Sequence, residues 1–135
     1  MTTLTLADVE ARHGLTHLDH LDRDAALPTV RDLPCAQGDV LVRPTPGAAP
    51  ATEPIPATGV PVVRGENGGN THLLVGDGAW LASDGTGLVL GTVTVPEGGT
   101  CLLSHPEHGG LLFAPGTFEV RRQREMADEI RMVAD

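Results

Sequence analysis

The chain has 135 residues, with eighteen acidic side chains against nine basic ones and a net charge of −9, the size of a single domain and the wrong sign for a general binder of nucleic acid or anionic membrane. Aromatic residues make up only 2% (Trp80, Phe113 and Phe118), so the core must be built from Val, Leu, Ile and Ala. No apolar window approaches the ~18 residues of a membrane span, and Met1 to Asp8 lacks the basic and apolar regions of a signal peptide, so a cytoplasmic location without a membrane partner is expected.

Residues 1–33 read as a helical N-terminal extension. Thr5-x-x-Asp8 and Thr16-x-x-Asp19 have the form of capping boxes with Asp in place of Glu, and Gly14 sits where a helix stop belongs. The spacing predicts helices over 6–13 and 16–26, the second ended by Pro28 and made amphipathic by Leu15, Leu18 and Leu21. Such a helix can dock on a sheet or on a protein partner. Cys35 and Cys101 have no CxxC spacing and are read as free or buried thiols.

Residues 34–135 read as the main domain, mainly β. Short apolar or alternating runs occur at 39–43, 60–64, 71–75, 80–82, 88–95, 100–103, 111–113 and 117–121. Asn67-Gly68, Asp77-Gly78, Asp84-Gly85 and Pro115-Gly116 punctuate them as tight turns. A small β-barrel, jelly roll or sandwich follows from that count. The segment 43–61 holds Pro44, Pro46, Pro50, Pro54, Pro56 and Pro61, too many for a ladder strand, and is read as an extended arm crossing one end of the domain. Beyond Arg122 helix and strand compete: propensity favours the first, and the alternation of Ile130, Met132 and Ala134 the second.

Ligand-type side chains gather at Ser104-His105-Pro106-Glu107-His108, a proline-broken turn between two apolar runs. With His72 and Glu66 from the earlier hairpin, His105, His108 and Glu107 have the chemistry of a site for a divalent transition metal, or of acid–base catalysis. Equally, His105 and His108 can fix the turn by bonding to backbone. The Gly-rich loop 65–72 can expose N–H groups as an anion nest, or simply serve as a long hairpin connection. Arg121-Arg122-Gln123-Arg124 is the basic run of the chain, suited to binding a carboxylate or phosphate or to pairing with Asp19, Asp22 and Asp24 within or between subunits. His13, His17 and His20 would share a side of a continuous helix, which Gly14 interrupts.

Gly65-Glu66-x-x-Gly69-x-x-His72, His105-Pro106-Glu107-His108, Pro115-Gly116-Thr117-Phe118-Glu119-Val120 and Arg122-Gln123-Arg124-Glu125 resemble a family of small uncharacterised proteins from actinobacterial and phage-related settings. The absence of Lys agrees with a GC-rich coding bias. Against that family's pattern, Asn70 stands for a first histidine, Phe118 for a tyrosine and Met126 for another. A looser similarity to cupins rests on Asn70-Thr71-His72 and Pro115-Gly116, and it implies a metal-holding barrel. The later cupin histidine is missing here.

The expectation is therefore a small cytoplasmic binding or assembly module, structural or phage-derived, that forms homo-oligomers, binds through Glu66, Asn70, Arg122 and Arg124, and uses no cofactor. The alternative is a cupin-like metal-dependent enzyme acting on a small molecule, with His72, His105, His108 and Glu66 or Glu107 as ligands.

Overall fold

A computed structural model describes residues 4–64, 71–84 and 87–122. The capping box forms as read. The Thr5 side chain accepts from the Asp8 N–H, the Asp8 carboxylate accepts from the Thr5 N–H, and helix α1 runs Leu6–His13 to a left-handed Gly14. The second expected helix, over 16–26, does not form; residues 15–28 take a path of turns. Arg23 accounts for this. Its guanidinium donates to the carbonyls of His17, Leu18 and Leu21, which a helix would need for its own ladder. The Leu18 N–H, which a helix starting at residue 16 would leave without an internal partner, donates to the Pro106 carbonyl.

Ten strands follow: β1 (Thr29–Val30), β2 (Cys35–Gln37), β3 (Val40–Pro44), β4 (Val60–Val63), β5 (His72–Gly76), β6 (Ala79–Ala82), β7 (Val89–Val95), β8 (Cys101–His105), β9 (Gly109–Phe113) and β10 (Gly116–Arg122). They form two five-stranded sheets, in the orders β1-β9-β8-β5-β4 and β2-β3-β10-β7-β6. Antiparallel neighbours β2–β3, β4–β5, β6–β7 and β8–β9 are consecutive in the chain and lie alternately on the two sheets. The closed barrel that the strand count allowed is not formed. The result is sandwich-like, with Val40, Val42, Val93, Val95, Phe118 and Val120 of one sheet sharing a core with Val30, Leu74, Cys101, Leu103, Leu111 and Phe113 of the other. Period-two alternation sets this: in β7, Val93 and Val95 are buried while Thr92 and Thr94 turn to the other face.

The two outer faces are treated differently. Over the first sheet, Leu6 and Val9 of α1 pack with Val75 and Leu102, joined by Leu21 and Leu27 of the turns. Across the second, the proline-rich arm covers one end. Ala51 donates its N–H to Thr94 Oγ1, Ile55 donates to the Gly78 carbonyl, and Trp80 donates to the Glu53 carbonyl. The arm thus shields part of the β6 edge and inserts Ile55 into the core. Pro61 sits on β4, the other kind of edge that tolerates a missing donor. Among the described residues, no helix is long and apolar enough to cross a membrane.

Candidate functional site

Strand β8 contributes to two polar clusters, because alternate residues point to opposite faces. Cys101 and Leu103 face the shared core, and His105 continues that row to the end of the sandwich. Leu102 faces α1, and Ser104 lies on that same side.

At the inner cluster, His105 lies 4.3 Å from His72 and 4.4 Å from His108 between ring centroids, with His72 and His108 6.5 Å apart. The rings form a row from the buried His72 to the exposed His108. Gln37 of β2 closes it from the other sheet. Its amide nitrogen donates to the carbonyls of Leu103 (2.9 Å) and Gly109 (3.2 Å), which fixes the amide so that its oxygen faces His72 Nδ1 at 2.9 Å. An amide oxygen only accepts, so neutral His72 carries its proton on Nδ1 and leaves Nε2 with a lone pair. His105 takes the opposite tautomer. Its Nδ1 accepts the N–H groups of Glu107 (3.1 Å) and His108 (3.2 Å), so the ring proton sits on Nε2. Gly38, at φ +58°, lets the β2–β3 turn lie against these rings; a Cβ there would meet His108 at 2.8 Å and His72 at 3.4 Å.

Burial favours the neutral imidazoles. His72 is pushed down to about 4 by desolvation, reinforced by His105 and His108 and opposed by Asp39. His105 is lowered too, first by desolvation and then by His108. Glu107 is exposed at the turn, where its N–H rather than its carboxylate makes the contact with His105. Among the described residues, no group of three or more His, Cys, Asp or Glu side chains is placed to hold a metal ion. His105 Nδ1 serves the turn, and its Nε2 could ligate only in the other tautomer, which would give up both N–H bonds at Nδ1.

The outer cluster was not legible in the sequence. Ser104 Oγ lies 2.8 Å from His17 Nε2, and His17 Nδ1 lies 3.0 Å from Glu10 Oε2. Arg23 grips both oxygens of that carboxylate at 3.2 Å. Burial pushes the Glu10 carboxyl up, but the hydrogen bonds from His17 and Arg23 outweigh it and hold the group below its ordinary value. Both His17 and Ser104 are buried. The capping-box reading of Thr16 placed His17 on a helix face; only the period-two position of Ser104, on the same side of β8 as Leu102, marked it as needing a partner.

Of the remaining predicted residues, Glu66, Asn70 and Arg124 lie outside the described residues, as do Asn67-Gly68 and the tail beyond Arg122. Arg122 ends β10, its N–H donating to the Leu88 carbonyl. Arg121 binds the Glu119 carboxylate at 3.0 Å, and Arg43 reaches the same carboxylate from β3 at 3.1 Å. Asp19, Asp22 and Asp24 lie on the segment over the first sheet, while Arg121 is on the outer face of the second, so Arg121 does not pair with them within one chain.

A family model described as a domain of unknown function (DUF8820) matches residues 36–123, and the chain belongs to that family. No curated protein and no solved structure matches it. The matched span holds Gln37, His72, Ser104, His105 and His108, and leaves Glu10, His17 and Arg23 outside it.

Proposed function

We propose that this member of the family is a self-assembling binding module, and that the partner it takes is a second copy of the same chain. One observation carries the reading. On the outer face of the second sheet, Arg43, Glu119, Thr92 and Leu81 stand in register across β3, β10, β7 and β6. Among the described residues this row lies beyond the stretch crossed by the arm, and Leu81 is 58% exposed. It presents two guanidiniums, from Arg43 and Arg121, around a single carboxylate, in a chain of net charge −9.

The segment over the first sheet has the complementary character. Asp19, Asp22 and Asp24 are exposed there beside Leu18, itself 44% exposed. Arginine prefers planar carboxylate partners, and an apolar side chain inside a charged rim is the usual composition of a protein contact. The complementary patches lie on opposite faces, so contact between copies runs head to tail and yields a ring or a filament.

Native mass spectrometry and sedimentation at about 50 mM and about 500 mM salt test this, since screening acts on such exposed charges. Multiples of the 14.1 kDa chain that diminish at high salt are expected. Arg43→Glu should dissociate them, and adding Asp22→Arg should restore them. A monomer under every condition would overturn the proposal.

A further inference from the structure

The geometry points to Ser104 as an activated nucleophile, with His17 as its general base, able to take the acyl group of a short-chain carboxylic ester. This goes beyond assembly and does not depend on it. Glu10 only accepts, so the neutral His17 ring holds its proton on Nδ1 and turns the Nε2 lone pair to Ser104. The serine hydroxyl then donates to Nε2 across 2.8 Å, leaving its own lone pairs for attack. Nucleophile, base and orienting carboxylate thus stand in the order and at the distances that serine acyl transfer requires. Glu10 and Arg23 are positioning residues: the guanidinium keeps the carboxylate charged and aimed at His17.

Ser104 also lines a cleft of about 270 Å³ between Gly14, Leu15 and Thr16 on one side and Thr71, Leu73 and Pro106 on the other. Leu15, Leu73 and Pro106 give it an apolar wall, and the cleft volume limits the acyl group to a short chain. Thr16 and Thr71 provide its hydroxyl groups.

In the first step, Ser104 Oγ bonds to the ester carbonyl carbon, its proton passes to His17 Nε2, and the carbonyl electron pair moves to oxygen. Collapse breaks the bond to the alkoxy oxygen, which leaves as the alcohol with the proton from Nε2. Water then attacks the acyl-serine and gives a proton to Nε2. The acid departs, and Oγ regains its hydrogen.

An alkyl fluorophosphonate traps the same nucleophile by displacing fluoride, and intact-mass analysis with peptide mapping reads the product. One adduct per folded chain, on Ser104, is expected, together with Ser104-dependent release of nitrophenolate from p-nitrophenyl butyrate. Ser104→Ala should abolish both without changing the far-UV circular dichroism spectrum. His17→Gln, which keeps a polar group in the buried position, should slow labelling at least ~100-fold. Glu10→Ala should slow labelling, because the imidazole loses the carboxylate that holds its Nδ1 proton, and the carboxylate of Glu10→Asp should restore part of the rate. An unlabelled folded wild type, or nitrophenolate release unaffected by Ser104→Ala, would overturn the assignment and leave the relay as a clasp holding the N-terminal segment on the sheet.

Discussion

Acid should weaken this fold through His72. The residue is 4% exposed, bonded to Gln37, and faces His105 and His108, with the charge of Asp39 acting in the opposite sense. In the unfolded chain its imidazole takes a proton near 6.5, whereas in the fold it does so only near 4. Its contribution is therefore complete above pH 6.5 and is lost as the pH falls towards 4, because the unfolded state binds the proton first. A displacement from 6.5 to about 4 amounts to about 3 kcal/mol, a large share of the ~5–15 kcal/mol that holds a domain folded. Guanidinium unfolding followed by circular dichroism between pH 7.5 and 4 measures it. His72→Gln keeps a donor for Gln37 but cannot titrate, so it should start less stable and decline more shallowly. Asp8 and Glu10, both held low by hydrogen bonds that outweigh any burial, also lose their contributions as the pH falls, equally in both proteins. Parallel declines in wild type and variant between pH 6.5 and 4.5 would refute the argument.

Other consequences follow from packing. Cys101 is fully buried and its thiol is pushed up to about 12, chiefly by desolvation, so at pH 8 only about one in ten thousand is thiolate; Ellman's reagent should titrate Cys35 alone in the native chain and both thiols after unfolding. Gly91→Ala puts a Cβ 2.5 Å from the Trp80 ring and 2.6 Å from the Leu81 carbonyl; a loss of ~1–3 kcal/mol is expected, with a shifted emission maximum from the chain's one tryptophan. Gly38→Ala combines a left-handed backbone with contact on the His108 ring, and should cost about 1–2 kcal/mol in unfolding free energy while displacing the His108 proton resonances in NMR spectra.

The strands that alternate or run apolar for four residues or more were legible: β3, β4, β5, β7 and β10 fall where Val and Leu periodicity puts them, and β8 extends its predicted run to His105. Strands β1 and β2, of two and three residues, were not. Val30 and Gln37 are specified by partners far along the chain, the parallel pairing of β1 with β9 and the carbonyls of Leu103 and Gly109. The same holds for the failed second helix. Its local pattern was sound, but one arginine between a remote carboxylate and three carbonyls outweighed propensity, whose advantage is only a few tenths of a kcal/mol per residue.

The adjacency of Ser104 and His105 in the sequence concealed a division of labour that the strand enforces. Pleating sends His105 between the sheets, where two backbone N–H groups of the turn donate to its Nδ1. It sends Ser104 outward to a histidine 87 residues away. Read as one loop, these residues look like a single ligand cluster. Read on a buried strand, they belong to two environments separated by the sheet itself, one sealing the end of the core and the other joined to the N-terminal segment. His72 and His105 have their proton positions set by Gln37 and the turn, His108 lines a cleft of about 200 Å³, and the hydroxyl of Ser104 borders another of about 270 Å³. Chemistry in this molecule is therefore to be sought on the outer face of β8 as well as on the inner one, to which the sequence alone directed attention.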